Sequence, residues 1–514
     1  MSAPYDLIVI GGGVNGAGVA RDAAGRAQAG GDQNARVLLL EANDLASGTS
    51  SASTKLVHGG LRYLEYYEFA LVREALGERE TLWSIAPHIV RPMRFVLPVT
   101  PTSMGGGMRP RWMLRAGLFL YDHIGGRGSL PRTQSIDLRR HPAGGAIDPR
   151  IVHGFEYSDG WVDDARLVVL NAVDARRRGA EIRTRTPVTG LRREGGLWRV
   201  EAGGESFAAR AVVNAAGPAV DDLARLAGTR PSFRIRRVRG SHIVVPRLFA
   251  HDYAYIFQLA DTRICFAIPY EGAFTLIGTT DSDHTGSLLE VEAADDEIAY
   301  LCRAASRYFR EAVTPADVVH TYAGVRALVE EGAGDGASRR RGKPEAATRG
   351  YRLPISAPDE GAPMLGIYGG KITSYRQVAE DAVDKLAQRL PALSGPAWTA
   401  HAPLPGGDFP KEAQGALIAE LQVEYPFLSP ADATRIARAY GLDTVLWLGE
   451  ARRREDLGRD FGCGLSEAEV DWMRREEFVV TAEDVLWRRS KLGLHMAASE
   501  QAALAAYLGS SLGV

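Results

Sequence analysis

Tyr5-Asp6-Leu7-Ile8-Val9-Ile10, followed directly by Gly11-Gly12-Gly13-Val14-Asn15-Gly16-Ala17-Gly18, is the stretch on which the reading of this chain turns. The apolar run is β-branched at Ile8, Val9 and Ile10, as a buried strand requires. Beyond the glycines, Val19, Ala20, Ala23 and Ala24 alternate with Arg21, Asp22 and Arg26, which is a helical pattern. Gly11, Gly13 and Gly16 fit the G-x-G-x-x-G dinucleotide fingerprint. Gly11 permits the tight turn, Gly13 lets backbone approach a pyrophosphate, and Gly16 allows helix and strand to pack closely. The helix N-terminus offers unpaired N–H groups and a positive dipole end to phosphate, with Asn15 in its first turn. A second strand, Arg36-Val37-Leu38-Leu39-Leu40, ends at Glu41, the acidic residue expected to hold a ribose hydroxyl. The spacing from Gly11 to Glu41 exceeds the usual ~20 residues, and the polar loop at 29–34 takes up the excess.

Size and composition set outer limits. The chain has 514 residues, 45% of them hydrophobic and 24% charged, enough for two or three domains with a substantial core. A formal net charge of −2 gives no reason to expect a nucleic-acid partner. Cys265, Cys302 and Cys463 lie far apart, without C-x-x-C spacing; they read as buried thiols in a reducing compartment, with no disulfide framework and no metal site. No signal peptide and no transmembrane stretch is visible, so any membrane contact is expected to be peripheral.

After Glu41 comes a small, hydroxyl-rich segment containing Thr49, Ser50 and Ser53, residues that cap helices or hydrogen-bond a phosphate. Leu56-Val57-His58-Gly59-Gly60-Leu61-Arg62-Tyr63-Leu64-Glu65 follows, combining glycines with His, Arg and Tyr in a turn suited to close ligand approach. The two runs together resemble the FAD-dependent glycerol-3-phosphate dehydrogenases, respiratory flavoproteins distinct from the NAD-dependent enzymes. Residues 238–246, 321–328 and 366–376 resemble the same family, and Val485-Leu486-Trp487-Arg488-Arg489-Ser490-Lys491-Leu492-Gly493 resembles its C-terminal domain.

The rest of the chain can be segmented. Residues 68–85 read as a helix and 94–99 as a strand. Residues 109–121 are basic, aromatic and apolar, either a membrane-interface helix or an ordinary helix on the core. Phe155 to Leu167 reads as the opening of a long amphipathic helix that ends near Gly179. Strand and meander follow through Val188, and Ala211-Val212-Val213-Asn214-Ala215-Ala216-Gly217 reads as a parallel strand broken at Gly217 beside the cofactor. Alternation over 234–280 predicts an antiparallel cap sheet, and 318–328 another strand. Residues 330–347, with Arg339, Arg340 and Arg341, read as a solvated loop. A strand, a glycine pair and a helix recur at Gly369-Gly370-Lys371-Ile372-Thr373, so a second helix N-terminus points at the cofactor.

Taken with the resemblance, the predicted fold is α/β: a Rossmann-like FAD-binding region, an antiparallel-sheet substrate cap and an all-α C-terminal domain. The FAD-binding segments are expected near 1–65, 150–230 and 350–390, and the cap near 66–149 and 231–349. A proline-rich linker over 391–410 leads to helices over 411–514. The resemblance implies oxidation of sn-glycerol 3-phosphate to dihydroxyacetone phosphate by FAD, with electrons passed to a membrane quinone. It also implies a cytoplasmic protein peripheral on the inner membrane face and, for assembly, a homodimer. A glycerol-3-phosphate oxidase using O2, or another FAD-dependent amine or 2-hydroxyacid oxidoreductase, is the alternative.

A flavin oxidising a secondary alcohol needs a base for the hydroxyl proton and fixed groups for the rest of the substrate. Phosphate favours arginine, whose guanidinium forks onto two oxygens. Arg349 and Arg326 are the expected clamps, with Lys371 third and Arg62 nearby; Arg326 precedes Ala327, where the family pattern implies proline. His58 and His242 compete as base, with His58 favoured and Tyr63 orienting it. Val188, Ala216 and Gly217 join the cofactor set of Gly11, Gly13, Asn15, Gly16, Glu41, Thr49, Ser50, Ser53, Gly370, Lys371, Ile372 and Thr373.

Overall fold

The computed structural model describes residues 3–30, 34–101, 109–125, 128–230, 233–261, 263–330, 350–356 and 361–510. Arg349 and most of the 330–347 loop, both named from sequence, lie outside the described residues, as does the side chain of Arg62.

The chain builds two large sheets by passing back and forth between them. β1 (Tyr5–Ile10), α1 (Val14–Ala29) and β2 (Val37–Leu40) start the first. β3 (Leu56–Val57), α2 (Phe69–Ile85), β4 (Val90–Val99), α3 (Arg111–Ile124), β5 (Gln134–Asp137) and β6 (His153–Val162) start the second. The chain returns through α4 (Asp164–Arg177) to β7 (Glu181–Arg183), β8 (Val188–Glu194), β9 (Leu197–Ala202) and β10 (Glu205–Asn214). After α5 (Val220–Leu226) it crosses again to β11 (Arg234–Pro246), β12 (Ala254–Gln258), β13 (Ile264–Tyr270), β14 (Phe274–Gly278), β15 (Ser282–Asp283), α6 (Asp295–Ser306) and β16 (His320–Glu330). β17 (Tyr351–Arg352), β18 (Ile355–Ser356), β19 (Met364–Gly366), β20 (Tyr368–Gly369) and α7 (Tyr375–Ala387) follow; β18 and β19 complete the first sheet, while β17 and β20 pair with each other as a separate small ribbon.

The first sheet runs β18-β19-β10-β1-β2-β7, and its core from β19 to β7 is parallel. β1 lies between β10 and β2, and Leu7, Ile8 and Val9 are fully buried, as both-faces-covered parallel strands demand. The second sheet runs β15-β11-β14-β13-β12-β4-β6-β3 and is antiparallel except where β12 lies alongside β4. Its aromatic face, including Phe95, Tyr157 and Phe266, packs into one core.

Four expectations are corrected. Phe155 does not open a helix: residues 153–162 form β6, paired to β4 from Val90 opposite Val162 to Val99 opposite His153. Phe155, Tyr157 and Trp161 stand at period two, and that alternation outweighs the helical reading. The helix begins only after Asp163, whose carboxylate accepts the Arg166 N–H at 3.1 Å. Because β3 and β6 sit in the second sheet, the expected FAD-binding segments 1–65 and 150–230 each surrender a piece to the cap. The proline-rich 391–410 stretch is no loose tether, for Leu393 and Leu404 share the core of β1 and the Trp398 indole donates to the Asp22 carbonyl at 3.2 Å. Of the cysteines, Cys265 and Cys302 are buried but Cys463 is exposed.

The remaining helices, α8 (Gln414–Glu424), α9 (Pro430–Tyr440), α10 (Val445–Leu448), α11 (Glu467–Glu476), a π-helical turn at Asp484–Arg489 and α12 (Ala498–Ser510), enclose their own core around Leu421, Ile436, Leu465 and Met473.

Candidate active site

The turn after β1 is packed so tightly that at Gly11 and Gly16 only glycine fits. A Cβ on Gly11, whose φ is +115°, would lie 2.5 Å from the Ala215 carbonyl oxygen at the end of β10. A Cβ on Gly16 would lie 1.9 Å from the Gly11 oxygen, which is the helix-on-strand contact read from the fingerprint. Gly13 differs. Its backbone is extended, and an added Cβ would meet only Ser50 Oγ at 3.0 Å. Ser50 Oγ accepts the Val14 N–H at 3.0 Å at the first turn of α1. The Glu41 carboxylate, at the end of β2, accepts N–H groups of Gly12 at 2.5 Å and Asn43 at 2.8 Å. Burial pushes its pKa up, opposed by those same amides.

From this turn a cavity of about 960 Å³ extends between the two sheets. Gly11, Gly13, Asn15, Glu41, Thr49, Ser50, Ser53, Val188, Ala216, Gly217, Gly370, Ile372 and Thr373 line it, together with His58, Tyr63, Arg326 and Lys371. Gly16 sits behind the wall as a packing residue. Gly369 and Gly370 take φ of +79° and +90° before α7, and Gly370 comes up against Asn15 across the cavity. The two glycine turns therefore face one another. Asn15 Oδ1, buried between them, has no hydrogen-bond partner among the described residues, an orphan that a ligand can satisfy. A dinucleotide cradle, an acidic residue at the end of β2 and an unsatisfied polar atom at the second turn fit FAD.

Beyond the cradle the cavity wall changes character. The backbone at Gly60 has φ of +74°, and a Cβ there would strike the Tyr63 ring at 2.1 Å, which explains the second glycine of the His-Gly-Gly turn. The first is fixed from behind: Gly59 N–H donates to Tyr121 OH at 2.8 Å, and Tyr121 donates to Asp159 at 2.6 Å. His58 lines the cavity and its Nδ1 accepts the Gly60 N–H at 3.1 Å, so the neutral ring carries its proton on Nε2. Lys371 Nζ stands 3.9 Å from the centre of the Tyr63 ring, bringing two of the expected residues together.

His242 takes a different place. It is 1% exposed, is not part of the cavity wall, stacks on Tyr322 at 4.7 Å and shares a hydrogen bond with Thr54 Oγ1 at 3.0 Å. Burial first, then Arg326 and Lys55, hold its pKa well below the ordinary histidine value, so it is neutral. Arg326 is also committed: its guanidinium pairs with Asp281 and donates to Thr279 Oγ1 at 2.8 Å. Asp281 was not legible in the sequence, because nothing in Thr279-Thr280-Asp281 marks it as an arginine partner. Two of the hydroxyls expected to face a ligand are spent internally. Thr49 Oγ1 donates to the Val325 carbonyl at 2.6 Å and Ser53 Oγ to Asp164 at 2.7 Å, where Lys55 also pairs at 2.8 Å.

A family profile described as FAD dependent oxidoreductase matches residues 6–351. A second, described as the C-terminal domain of alpha-glycerophosphate oxidase, matches residues 397–510. The aerobic glycerol-3-phosphate dehydrogenase of Escherichia coli is 46% identical over 510 residues, covering 98% of this chain and 97% of its own. The chain belongs to the FAD-dependent oxidoreductases, among the glycerol-3-phosphate dehydrogenases.

FAD is the family's cofactor and the one this cradle takes. The D-erythritol 1-phosphate dehydrogenase of Brucella abortus is 48% identical over 505 residues, covering 97% of this chain and 96% of its own. Among solved structures, the glycerol-3-phosphate dehydrogenase of Bacillus halodurans complexed with FAD superposes with a TM-score of 0.71 at 25% identity, covering 99% of this chain and 95% of that one. Among the described residues, no helix is long and apolar enough to cross a membrane.

Proposed function

We propose that this chain oxidises sn-glycerol 3-phosphate to dihydroxyacetone phosphate and passes the electrons from FAD to a membrane quinone. The observation that carries the proposal is the continuity of one cavity from the dinucleotide cradle to His58, Tyr63, Lys371 and Arg326. When bound, FAD supplies the two-electron acceptor; the chain's own residues must orient the alcohol, hold its phosphate and move its proton. Lys371 supplies positive charge for the phosphate, and Arg326, sharing its charge with Asp281, supplies a hydrogen-bonding edge. Arg349 enters from the sequence alone. As base, His58 takes the hydroxyl proton at Nε2, which requires the other tautomer, with the ring proton on Nδ1 and the Gly60 N–H turned away from it. His242 acts through Thr54 as a positioning residue.

A four-carbon polyol phosphate is the second reading, favoured by the 48% identity to the Brucella abortus enzyme. Anaerobic titration of the yellow holoprotein with glycerol 3-phosphate and with erythritol phosphate, followed by flavin bleaching, separates the two. Bleaching by neither ester removes the proposal. Reoxidation by a soluble quinone much faster than by O2 supports the dehydrogenase over the oxidase.

Two surface features support the acceptor and the membrane. Leu226 and Leu289 line the cavity at its solvent side, and Leu289 is 79% exposed, an apolar mouth suited to a quinone. α3 buries Leu114, Leu118 and Tyr121 on the cap while Trp112 and Phe119 stand 72% and 65% exposed on a helix that also carries Arg111 and Arg115. That helix is the proposed contact with the inner membrane face.

A further inference from the structure

The π-helical turn at Asp484–Arg489 lies in the C-terminal domain, yet Asp484, Arg488 and Arg489 all reach the FAD-binding layer. Within their own domain, Arg489 donates to the Glu477 carbonyl and Asp484 accepts the Val480 and Thr481 N–H groups. Arg489 forks onto Asp44 with Nη1 at 2.6 Å and Nη2 at 2.8 Å, both side chains essentially inaccessible to solvent. Arg488 pairs with the same carboxylate and donates to Asp484 at 2.6 Å. Asp484 in turn takes both of its 2.8 Å contacts with Arg185 from the loop between β7 and β8. Charges alternate along this line, Asp44, Arg489 and Arg488, Asp484, Arg185, so the buried members are each compensated, and Arg185 at the end is the most exposed.

The two loops so gripped are walls of the cofactor cavity. Asp44 follows directly on Glu41, Ala42 and Asn43, and Arg185 precedes Thr186, Pro187 and Val188; all six of these neighbours line the cavity. The loops are also bonded to one another, Arg185 N–H to the Asn43 carbonyl and Thr186 N–H to the Glu41 carbonyl, each at 2.8 Å. Arg185 holds φ of +53°, a left-handed conformation unusual for a residue with a Cβ. A third contact reaches the opposite wall: the Trp487 indole stacks on His320 at 4.2 Å and 7°, at the start of the strand that carries Arg326. Among the described residues, the side chains of Asp44 and Arg185 have their hydrogen-bond partners on this turn and none within the FAD-binding layer.

We propose that this turn of the C-terminal domain is a clamp that fixes the Glu41 and Val188 walls, so that docking of the C-terminal domain and retention of FAD are coupled. By linkage the coupling is reciprocal: FAD stabilises the docked domain as much as docking tightens FAD. The residues involved are positioning residues, none of which lines the cavity itself.

The test is made in the full-length chain with FAD as the probe. Arg489→Met is expected to raise FAD release, followed by flavin fluorescence on dilution, by about 10- to 100-fold, with Arg489→Lys intermediate because a point charge cannot fork. The control is Arg435→Met, which breaks a forked arginine–carboxylate pair between Arg435 and the fully buried Glu469 inside the C-terminal domain. If Arg489→Met does not fold, Arg185→Met carries the same expectation from the partly exposed end of the line. Proteolysis within the C-terminal domain is expected to slow on adding FAD to wild type and not to Arg489→Met. Unchanged FAD release in the clamp variants overturns the proposal. So does equal release in Arg435→Met, which would reduce the effect to general loosening of the domain.

Discussion

Gly13→Ala separates the two reasons a glycine stands in the fingerprint. At Gly16 an added methyl meets the Gly11 carbonyl oxygen at 1.9 Å, so backbone must move and folding suffers whether or not a ligand is bound. At Gly13 the backbone is extended at φ −82° and ψ −176°, a conformation alanine adopts without strain. Its Cβ would meet one atom, Ser50 Oγ at 3.0 Å, which a small rotation relieves. The remaining direction is the cavity, where the methyl takes space that a pyrophosphate needs. Overpacking of this kind costs about 1–3 kcal/mol, so the Kd for FAD should weaken by roughly 5- to 150-fold. The apo-protein, by contrast, should melt at or slightly above the wild-type temperature, because alanine restricts the unfolded chain by about 0.4–1 kcal/mol. The assay is calorimetric titration of apo-protein with FAD beside thermal melts of apo wild type, Gly13→Ala and Gly16→Ala. An unchanged Kd for Gly13→Ala, or an apo melting loss matching that of Gly16→Ala, refutes the argument that Gly13 is kept for the ligand.

Other expectations are more briefly put. Arg326→Met should lower kcat/KM for the phosphate ester by about 10- to 150-fold, the worth of a hydrogen bond to a charged group, with flavin content retained; unchanged kinetics would remove Arg326 from the substrate site. His58→Ala should cost about 10²- to 10⁴-fold in kcat, whereas His242→Gln should mainly lower thermal stability; the reverse ranking would exchange their roles. Trp112→Glu with Phe119→Glu should abolish sedimentation with anionic vesicles while dye-coupled turnover in solution is kept, and full retention on vesicles would clear α3 of membrane contact. Acid should destabilise in two windows. The buried His88 ring has its pKa pushed down to about 3 by burial and by Arg166, so between the unfolded value of 6.5 and about 3 only the unfolded chain takes the proton and stability falls with pH. Despite opposition from burial, Asp484 is lowered from 3.8 to about 2, with the Thr481 and Val480 amides and Arg185 stabilising the carboxylate, so its contribution is present above 3.8 and lost as pH falls through about 2. His88→Phe should flatten the melting-temperature profile between pH 6.5 and 3, and an unaltered slope there counts against the assignment.

The parts of this molecule that sequence could disclose are those where one local rule decides. The strand, glycine turn and helix at Tyr5 to Ala29 obey a single fingerprint, and the glycines at Gly369 and Gly370 a second copy of it. The cavity's cationic and histidine lining was reached through motif resemblance, as with His58, Arg326 and Lys371. Reading failed where one run joins two periodicities: the alternation over 153–162 passes directly into the helix that opens at Asp164, and the helical pattern carries back too far. It also failed where partners are distant in the chain. Asp281 neutralising Arg326, and Asp164 taking the Ser53 hydroxyl, depend on how sheets stack, and carry no local signature. Distance likewise hid the difference between the two histidines, since only packing puts one in the wall and the other behind Thr54.

The position of β1 at the centre of the first sheet reaches into how the chain is made. Its edge is completed by β10 at residues 205–214, and β10 in turn by β19 at 364–366, so the earliest apolar strand waits for some of the last. At about 5–20 residues per second, a ribosome holds Tyr5 to Ile10 without its full sheet for roughly 20–70 s. During that interval the nascent chain carries an unpaired apolar edge, which is the kind of surface that chaperones bind and that aggregates recruit. Slowing translation should therefore lower the yield of folded protein unless chaperone capacity is raised with it, and growth temperature, more than inducer strength, should govern how much yellow protein is recovered.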